Sequence, residues 1–327
     1  MNKLTFLLTL KDRSDHTEIW LKHNLRPEYD YFVADGSIGD ENTSLFRDVN
    51  LPNLTYIRYP KDISSDLYIE KVLHAVGQIR TKYIMMIDND DFINFHGIVD
   101  CIDALQKDSD AVCAGGPIYG CVQNKNISSV WRYSLPVKIH NAATLHNRSG
   151  FDALMYLYGD FKYMYYSIYR TEICLNIWRD IKQLKISDLF LVELLQADLT
   201  FCHGKYLHIK NNHYIRLANP SSRVTLELES NDLYHPLKIY FDDAYRSQVL
   251  RMSEHVAKLV GVDPCLLLSE RRNYYALWVA KKYAPRHLKI FPFLIRAHEI
   301  IPRVLHIFFP IEFGIAFINI FNKSARR

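Results

Sequence analysis

The sequence predicts an α/β protein in which a mainly parallel sheet is flanked by helices and followed by a helical C-terminal region. Three observations support this fold class. Short apolar runs typical of strands alternate with helix-like segments through the N-terminal part of the chain. Several of these runs end directly in polar residues. Toward the C terminus, two long helix-like segments replace the alternation.

The individual elements follow from local signals. The predicted strands are apolar runs at residues 3–10, 31–34, 54–59, 83–87, 111–114 and 164–169, of which 83–87 (YIMMI) is the most apolar. The predicted helices cover residues 14–24, 65–79, 187–199, about 236–260 and 266–283, with Ser14 and Ser187 as capping residues. Residues 122–147, rich in Asn, Ser and His, are predicted to form a long loop or irregular insert. We expect a first domain at 1–225 and a helical region at 226–327.

Composition limits the class of protein. Hydrophobic residues make up 49% of the 327 residues, which is enough to fill a substantial core. The six cysteines form no CxxC pair, so neither a disulfide scaffold nor a zinc site is indicated, and we expect a reducing, cytoplasmic compartment. The apolar run at the N terminus is too short for an export signal. The sequence contains neither GxGxxG nor GxxxxGK[ST], which disfavours a dinucleotide-dependent dehydrogenase and a P-loop NTPase.

Polar residues follow three of the predicted strands. Asp12 follows the first strand, Asp35 follows the second, and residues 88–91 follow the strand at 83–87 without a spacer. Ligands of parallel sheets bind beyond the carboxyl ends of the strands. We therefore expect these three groups to converge on one edge of the sheet.

The last of these groups, Asp88, Asn89, Asp90 and Asp91, crowds three carboxylates into a small volume. Such crowding is costly unless a cation neutralises it. Oxygen ligands favour Mg²⁺ or Mn²⁺, and these ions also take oxygens from phosphates or diphosphates. The alternative is an acidic turn in which Asp88 caps the next helix.

Residues 88–92 (DNDDF), following an apolar strand, resemble the DXD region of GT-A glycosyltransferases, particularly family 2-like enzymes. Residues 9–13 (TLKDR) resemble the first nucleotide-binding loop of that family. Residues 35–37 (DGS) resemble its Asp-Asp-Gly-Ser turn, with Ala34 in place of the first acid. The resemblance covers roughly residues 1–220 and its motifs occur in the expected order. It implies a GT-A-like catalytic domain.

The resemblance also implies site residues and ligands. The implied donor-binding residues are Thr9, Lys11, Asp12, Arg13, Asp35, Lys71, Asp88, Asn89 and Arg216. The implied metal ligands are Asp88, Asp90, Asp91 and His213. The implied ligands are Mn²⁺ or Mg²⁺ and a nucleotide-diphosphate sugar, with a UDP-sugar preferred. Two alternatives stay open: Lys71 as an ordinary solvated lysine, and His213 as a hydrogen-bonded loop histidine.

Inverting transfer needs a carboxylate that takes a proton from the acceptor hydroxyl. The resemblance makes Asp188 the first candidate for this general base and Glu193 the second. Glu193 lies five residues later, about 140° around a helix, so we do not expect both to face one substrate. The alternative for Asp188 is to complement the helix dipole in the first turn.

The C-terminal tail is basic and aromatic. From residue 281 onward it carries nine Lys or Arg and two Glu, a charge of +7 that leaves −3 for the rest of the chain. A nearly neutral body disfavours nucleic acid as a partner. Pro292, Pro302 and Pro310 interrupt the apolar stretches, so we expect short amphipathic helices at an anionic membrane surface rather than a spanning helix. The alternative is that these helices pack on the catalytic domain or form a dimer interface.

The sequence thus predicts a metal-dependent glycosyltransferase, peripheral at the inner face of the cytoplasmic membrane. It would move a sugar, with inversion, from a nucleotide-sugar donor to a hydroxyl of a saccharide or lipid-linked acceptor in surface polysaccharide or glycolipid synthesis. Two other functions remain open. One is a nucleotidyltransferase acting on a sugar phosphate, and the other is a non-catalytic carbohydrate-binding scaffold.

Overall fold

The computed structural model describes residues 3–125, 131–133, 136–218 and 238–283, and it has a mixed α/β architecture. The strands are β1 (Leu4–Leu10), β2 (Asp30–Asp35), β3 (Leu54–Arg58), β4 (Tyr83–Ile87), β5 (Phe92–Ile93), β6 (Ala111–Gly115), β7 (Ile118–Lys125), β8 (Trp131–Tyr133), β9 (Val137–His140), β10 (Ile168–Arg170), β11 (Lys205–His208) and β12 (Tyr214–Ala218). The helices are α1 (Ser14–Asn24), α2 (Glu41–Arg47), α3 (Ser65–Gln78), α4 (Phe95–Lys107), α5 (Gly150–Gly159), α6 (Thr171–Gln183), α7 (Leu189–His203), α8 (Lys238–Phe241), α9 (Asp243–Val260) and α10 (Pro264–Tyr283).

The main sheet has seven strands in the order β11-β6-β10-β4-β1-β2-β3. Strand β10 runs antiparallel to β4 and β6, and the other neighbouring pairs are parallel. Because β1, β2 and β4 run in the same direction, the loops that follow them lie at the same edge of the sheet. The prediction that residues 12, 35 and 88–91 converge on one edge is confirmed.

An aromatic cluster fixes α1 and α4 against the sheet. Phe6 of β1 stacks on Tyr31 of β2 with ring centroids 5.5 Å apart, and Trp20 of α1 meets Tyr31 edge-on at 6.0 Å. Phe95 of α4 meets Phe6 edge-on at 6.1 Å. All five residues of β4 are buried, as a continuous apolar run in a parallel sheet predicts. The loops at the carboxyl edge therefore rest on a rigid base.

A second, smaller sheet differs from the sequence-based expectation. Its order is β5-β12-β7-β8, and β9 pairs with β7. The prediction of a loop at 122–147 is wrong for the described part of that range, because β7 continues to Lys125 and β8 and β9 follow. Pairing of β7 with β12 and β9 stabilises these polar strands, and the composition of one segment does not reveal such pairing. The predicted strand at 164–169 is reduced to β10.

Side-chain caps define where several helices begin. Ser64, Asn94 and Asp188 accept backbone N–H hydrogen bonds at the starts of α3, α4 and α7. The alternative in which Asp88 caps the next helix is therefore wrong, because that helix is α4 and Asn94 caps it. The cap predicted at Ser187 lies one residue before the actual cap. The predicted helix at 236–260 is divided at Asp242, which caps α9.

The chain divides into two compact units, Met1–Arg271 and Arg272–Arg327. This division falls later than the boundary expected at 225/226, because α9 belongs to the first unit. The Oε1 atom of Gln248 accepts hydrogen bonds from the backbone N–H of Ser187 (2.7 Å), and the Nε of Arg251 donates to the carbonyl of Leu184 (3.0 Å). In the second unit, the structure describes the continuation of α10 to Tyr283.

None of the helices in the described ranges combines the length and apolar character needed to cross a bilayer. The tail at 284–327, for which the sequence predicts membrane contact, lies outside the described residues.

Candidate active site

Three carboxylates lie together in the loop between β4 and β5. Ligand oxygens of Asp88, Asp90 and Asp91 are all within 4.8 Å of one another. The Oδ2 of Asp88 accepts a hydrogen bond from the hydroxyl of Tyr166 (2.7 Å), and the Oδ1 of Asp91 accepts one from the backbone N–H of Leu217 (2.8 Å). The Oδ2 of Asp91 is buried and has no hydrogen-bond partner among the described residues.

Burial raises the pKa of Asp88, and it raises the pKa of Asp91 well above the usual range of a carboxyl group. The neighbouring charge of Asp90 raises both pKa values further. Arg216 acts in the opposite direction on both groups. The cluster is therefore destabilised when fully ionised. Hard oxygen ligands at this spacing, one of them buried without a partner, fit Mg²⁺ or Mn²⁺, because a divalent cation would bind these oxygens and neutralise their charge.

Two arginines lie at the cluster. Arg13, at the start of α1, forms an ion pair with Asp90. Arg216, in β12, lies with its guanidinium carbon 5.2 Å from the ring centroid of Tyr166 and 5.9 Å from that of Tyr163. Both were predicted as donor-site residues, and both carry positive charge to the carboxylates at the sheet edge.

The loop after β1 has an unusual backbone. Asp12 (φ 54°) and Arg13 (φ 58°) are consecutive non-glycine residues in the left-handed region, which is unfavourable unless the surroundings hold it. The side-chain amide of Asn89 donates to the carbonyls of both residues, at 3.3 and 3.2 Å, and to the hydroxyl of Thr17 at 2.9 Å. The Oδ1 of Asp12 accepts from the backbone N–H of Ile38 (2.8 Å). Asn89 and Asp12, predicted to bind the donor, thus brace the loop that carries Arg13.

Asp35, predicted to contact the base or ribose, is completely buried. Its Oδ1 lies 2.9 Å from the Nη1 of Arg58 and accepts from the backbone N–H of Ser37 (2.8 Å), and its Oδ2 accepts from the hydroxyl of Tyr56 (2.5 Å). Because both oxygens are bonded inside the protein, the prediction of a direct nucleotide contact is not supported. Asp35 instead holds the loop after β2.

Lys71 is neither a solvated lysine nor exposed to a ligand. It is buried, forms an ion pair with Asp62 and donates to the carbonyl of Leu10 at 3.1 Å. Burial lowers the pKa of Lys71. Lys11 donates to the carbonyl of Asp62, and the hydroxyl of Thr9 lies 3.2 Å from that of Tyr165. All three predicted donor residues therefore make contacts that stabilise the loops.

His213 does not join the three carboxylates. Its Nδ1 accepts a hydrogen bond from the backbone N–H of Gly116 (2.9 Å), and its Nε2 donates to the carbonyl of Tyr166 (2.8 Å). Burial lowers the pKa of His213 to about 4, so the ring is neutral. Since both nitrogens are bonded within the protein, the predicted metal-ligand role is corrected, and the alternative of a hydrogen-bonded histidine fits the geometry.

The two candidate bases have different surroundings. The Oδ1 of Asp188 accepts from the backbone N–H groups of Phe190 (3.0 Å) and Leu191 (3.2 Å), and its Oδ2 lies 3.8 Å from the Nζ of Lys238. Glu193 is half-buried in α7. Burial raises the pKa of Glu193 to about 7, with Arg216 lowering it and Asp88 raising it. Glu193 therefore interacts electrostatically with the cluster, whereas Asp188 has the position of a helix cap.

The sequence reading did not identify the tyrosines of this site. Tyr166 bonds Asp88, stacks on Tyr214 with centroids 4.5 Å apart, and lies under Arg216. Tyr163 is 40% exposed and meets Phe161 edge-on at 5.3 Å. The aromatic run at 161–166 (FKYMYY) is the sequence signal for these tyrosines, and only its second half falls within the strand predicted at 164–169.

No protein-family model matches this chain, and no curated protein matches its sequence. Solved structures do match. A crystal structure of S. aureus TarS aligns with a TM-score of 0.50 and 12% identity, over 88% of this chain and 46% of that chain. Crystal structures of TarS 1-349 in complex with UDP-GlcNAc and with UDP align with a TM-score of 0.45 each, at 12% and 13% identity, over 86% and 87% of this chain and 93% of theirs.

This chain therefore spans about half the length of the longer TarS chain. TarS is a glycosyltransferase, and at 12% identity the similarity establishes the fold alone. The chain shares with TarS an α/β fold in which a mainly parallel sheet is flanked by helices, as the sequence predicted. Membership of the GT-A family 2-like group in particular stays a prediction.

Proposed function

We propose that this protein transfers a glycosyl group from a nucleoside-diphosphate sugar, with UDP-GlcNAc as the first donor to test, to a hydroxyl of a saccharide or lipid-linked acceptor. The observation that carries the proposal is the cluster of Asp88, Asp90 and Asp91 at the carboxyl edge of the sheet, with one buried carboxylate oxygen left without a partner in the described ranges. Transfer of a glycosyl group releases a diphosphate, and a cation bound by such a cluster would stabilise the negative charge of that leaving group.

In this proposal, Asp88, Asp90 and Asp91 would hold Mn²⁺ or Mg²⁺, which would supply positive charge for the leaving diphosphate. Residues of the protein supply further positive charge and orient the carboxylates. Arg13 and Arg216 add positive charge beside the carboxylates, where negative charge develops as the glycosidic bond to the diphosphate breaks. Tyr166 and Leu217 orient two of the carboxylates by hydrogen bonds.

Glu193 is our preferred general base. Its pKa of about 7 suits a group that must take a proton from the acceptor hydroxyl near neutral pH. Arg216 favours its ionised form. The exposed ring of Tyr163 lies close enough to Glu193 and Arg216 to interact with both, and offers a stacking surface for an acceptor sugar. Inversion is proposed because the resemblance to family 2-like glycosyltransferases implies it.

The first test is thermal unfolding of the full chain with UDP-GlcNAc, UDP and other nucleoside diphosphates, each with and without Mn²⁺. Binding to the folded state at a ligand concentration of 100 Kd stabilises it by about 2.7 kcal/mol, so a Mn²⁺-dependent rise in Tm with a uridine nucleotide is the expected result. No rise with any nucleotide would contradict the proposed donor site.

The second test is product analysis with saccharide and lipid-linked acceptors. Release of UDP together with a glycosylated acceptor is expected. Release of pyrophosphate from a nucleoside triphosphate would identify a nucleotidyltransferase, and donor binding without any turnover would identify a scaffold. Assigning the protein to the inner face of the membrane, through the basic tail, is part of the same proposal, and co-sedimentation with anionic vesicles tests it.

A further inference from the structure

The ion pair between Arg13 and Asp90 has an unusual position. Asp88 and Asp91 accept hydrogen bonds from neutral donors, Tyr166 and the backbone of Leu217. Asp90, in contrast, has a charged partner, and its side chain is only 9% exposed. The guanidinium therefore lies against one of the three carboxylates that would hold a cation.

The backbone of Arg13 is fixed while its side chain reaches across the site. The carbonyl of Arg13 accepts hydrogen bonds from the backbone N–H groups of His16 and Thr17 (3.1 Å each) and from the side chain of Asn89 (3.2 Å). Asn89 belongs to the same loop as Asp90. The loop that carries the carboxylates therefore also positions the backbone of Arg13. Rotation of the side chain can move the guanidinium without moving this backbone.

The guanidinium of Arg13 also has a hydrogen-bond donor that is not used within the described residues. The Nε of Arg13 is buried and has no hydrogen-bond partner in the part of the chain that the structure describes. The side chain is 25% exposed, so one side of it faces solvent. A partly exposed guanidinium beside the carboxylates is suited to bind a diphosphate through two parallel hydrogen bonds.

We propose that Arg13 competes with the divalent cation for Asp90 and moves to the diphosphate when the nucleotide binds. This inference rests on the proposed function. Cation and guanidinium draw on the same carboxylate and repel each other, so Arg13 weakens binding of the cation alone. A diphosphate gives Arg13 another partner and frees Asp90. Cation and nucleotide thus bind cooperatively, and by linkage each strengthens the other equally.

The test measures binding rather than turnover. Free Mn²⁺ is followed by electron paramagnetic resonance during titration of the full chain, with and without UDP, for the wild type, Arg13→Gln and Arg13→Lys. Arg148→Gln is the matched control, because Arg148 pairs with Asp152 on α5, away from the cluster.

In the wild type, UDP is expected to tighten Mn²⁺ binding about tenfold, within the usual range of coupling between sites. Arg13→Gln is expected to bind Mn²⁺ alone at least about fivefold more tightly, and UDP should then tighten Mn²⁺ binding by a smaller factor than in the wild type. Arg13→Lys keeps the charge but not the paired donors, so its affinity for Mn²⁺ alone should stay low while its coupling to UDP falls. Arg148→Gln should match the wild type.

The outcomes separate the two proposals. Unchanged or weaker Mn²⁺ binding by a folded Arg13→Gln variant would overturn the competition, while Mn²⁺ binding by the wild type would leave the proposed function standing. If Arg13→Gln does not fold, undiminished UDP coupling in Arg13→Lys overturns the inference. Absence of Mn²⁺ binding in every variant, with or without UDP, would overturn both proposals.

Discussion

Two groups of buried or half-buried acids lie at the same edge of the sheet, and they differ in charge balance. After β2 and β3, each carboxylate has its own cation: Asp35 pairs with Arg58 and Asp62 pairs with Lys71. After β4, three carboxylates share two arginines, and one oxygen of Asp91 has no partner within the described residues. Asp62 also leaves one buried oxygen without a partner there, but Lys71 balances its charge.

This difference in charge balance distinguishes residues that stabilise the loops from residues that are suited to bind a ligand. A balanced pair is complete within the protein, so it holds loops in place and has little to gain from a ligand. An excess of negative charge in a buried cluster is costly, and binding a cation removes that cost. The resemblance to a family marks Asp35 and Lys71 of the first group as site residues, as it does the three carboxylates of the second. The charge balance distinguishes the two groups.

Asp91→Asn should give the largest change in activity. It removes a metal-binding carboxylate and should lower transfer about a thousandfold or more, in line with losses seen when transition-state electrostatics are removed. The Mn²⁺-dependent rise in Tm with UDP should disappear. The metal-free Tm should not fall, because the substitution removes excess negative charge.

Thermal melts with and without Mn²⁺ and UDP measure these effects. Asp62→Asn is the matched control, since it changes a buried acid of the balanced group. It should lower the metal-free Tm and keep the Mn²⁺ response. A lower metal-free Tm in Asp91→Asn would show that the two groups are alike, contrary to the comparison.

Lys71→Met tests the balanced group directly. It leaves Asp62 buried without its cation, which should reduce the free energy of unfolding by about 3–5 kcal/mol. Urea unfolding of the variant and of the double variant Lys71→Met, Asp62→Leu provides the measurement. The double variant should recover much of the loss. A loss below about 1 kcal/mol in the single variant would mean that Lys71 faces solvent or ligand in solution.

Glu193→Gln should lower transfer about a hundredfold while leaving UDP-GlcNAc binding intact, because a positioned base contributes to the reaction rather than to donor affinity. The pH profile gives a second reading. A base must be ionised, so wild-type transfer should fall as pH decreases through about 7, the pKa of Glu193. This dependence should be absent in Glu193→Gln. A wild-type acid limb near 4.5 would argue against Glu193.

The sequence predicted the part of the fold that local patterns determine. Strands such as β1 and β4 are long apolar runs, and the polar loops after them could be placed at one edge because parallel strands fix that geometry. Strands β7, β8 and β9 are stabilised by pairing with other strands. The polar composition of this segment gives no sign of that pairing and instead favours a loop.

The candidate site divides in the same way. The carboxylate cluster was predictable because consecutive residues must be neighbours. The roles of Asp35, Lys71 and His213 were not, because each depends on a partner from another element, namely Arg58, Asp62 and Gly116. Sequence identifies which polar groups are present at the edge, whereas only the fold reveals which of them are already bonded.

Asp188→Ala should have the smallest effect on transfer, and it addresses the choice between the two bases. Loss of the cap on α7 should reduce the free energy of unfolding by about 1 kcal/mol. Transfer should stay within about twofold of the wild type when measured well below the Tm, since the carboxylate is bonded to the start of its own helix.

Asp188→Asn refines this test, because asparagine caps a helix but cannot act as a base. Both stability and transfer should be close to wild type in that variant. If Asp188→Asn instead lost about a hundredfold in transfer with normal stability, Asp188 would be the base. Glu193 would then adjust the local charge through Arg216 and Asp88, and the acid limb of the pH profile would persist in Glu193→Gln.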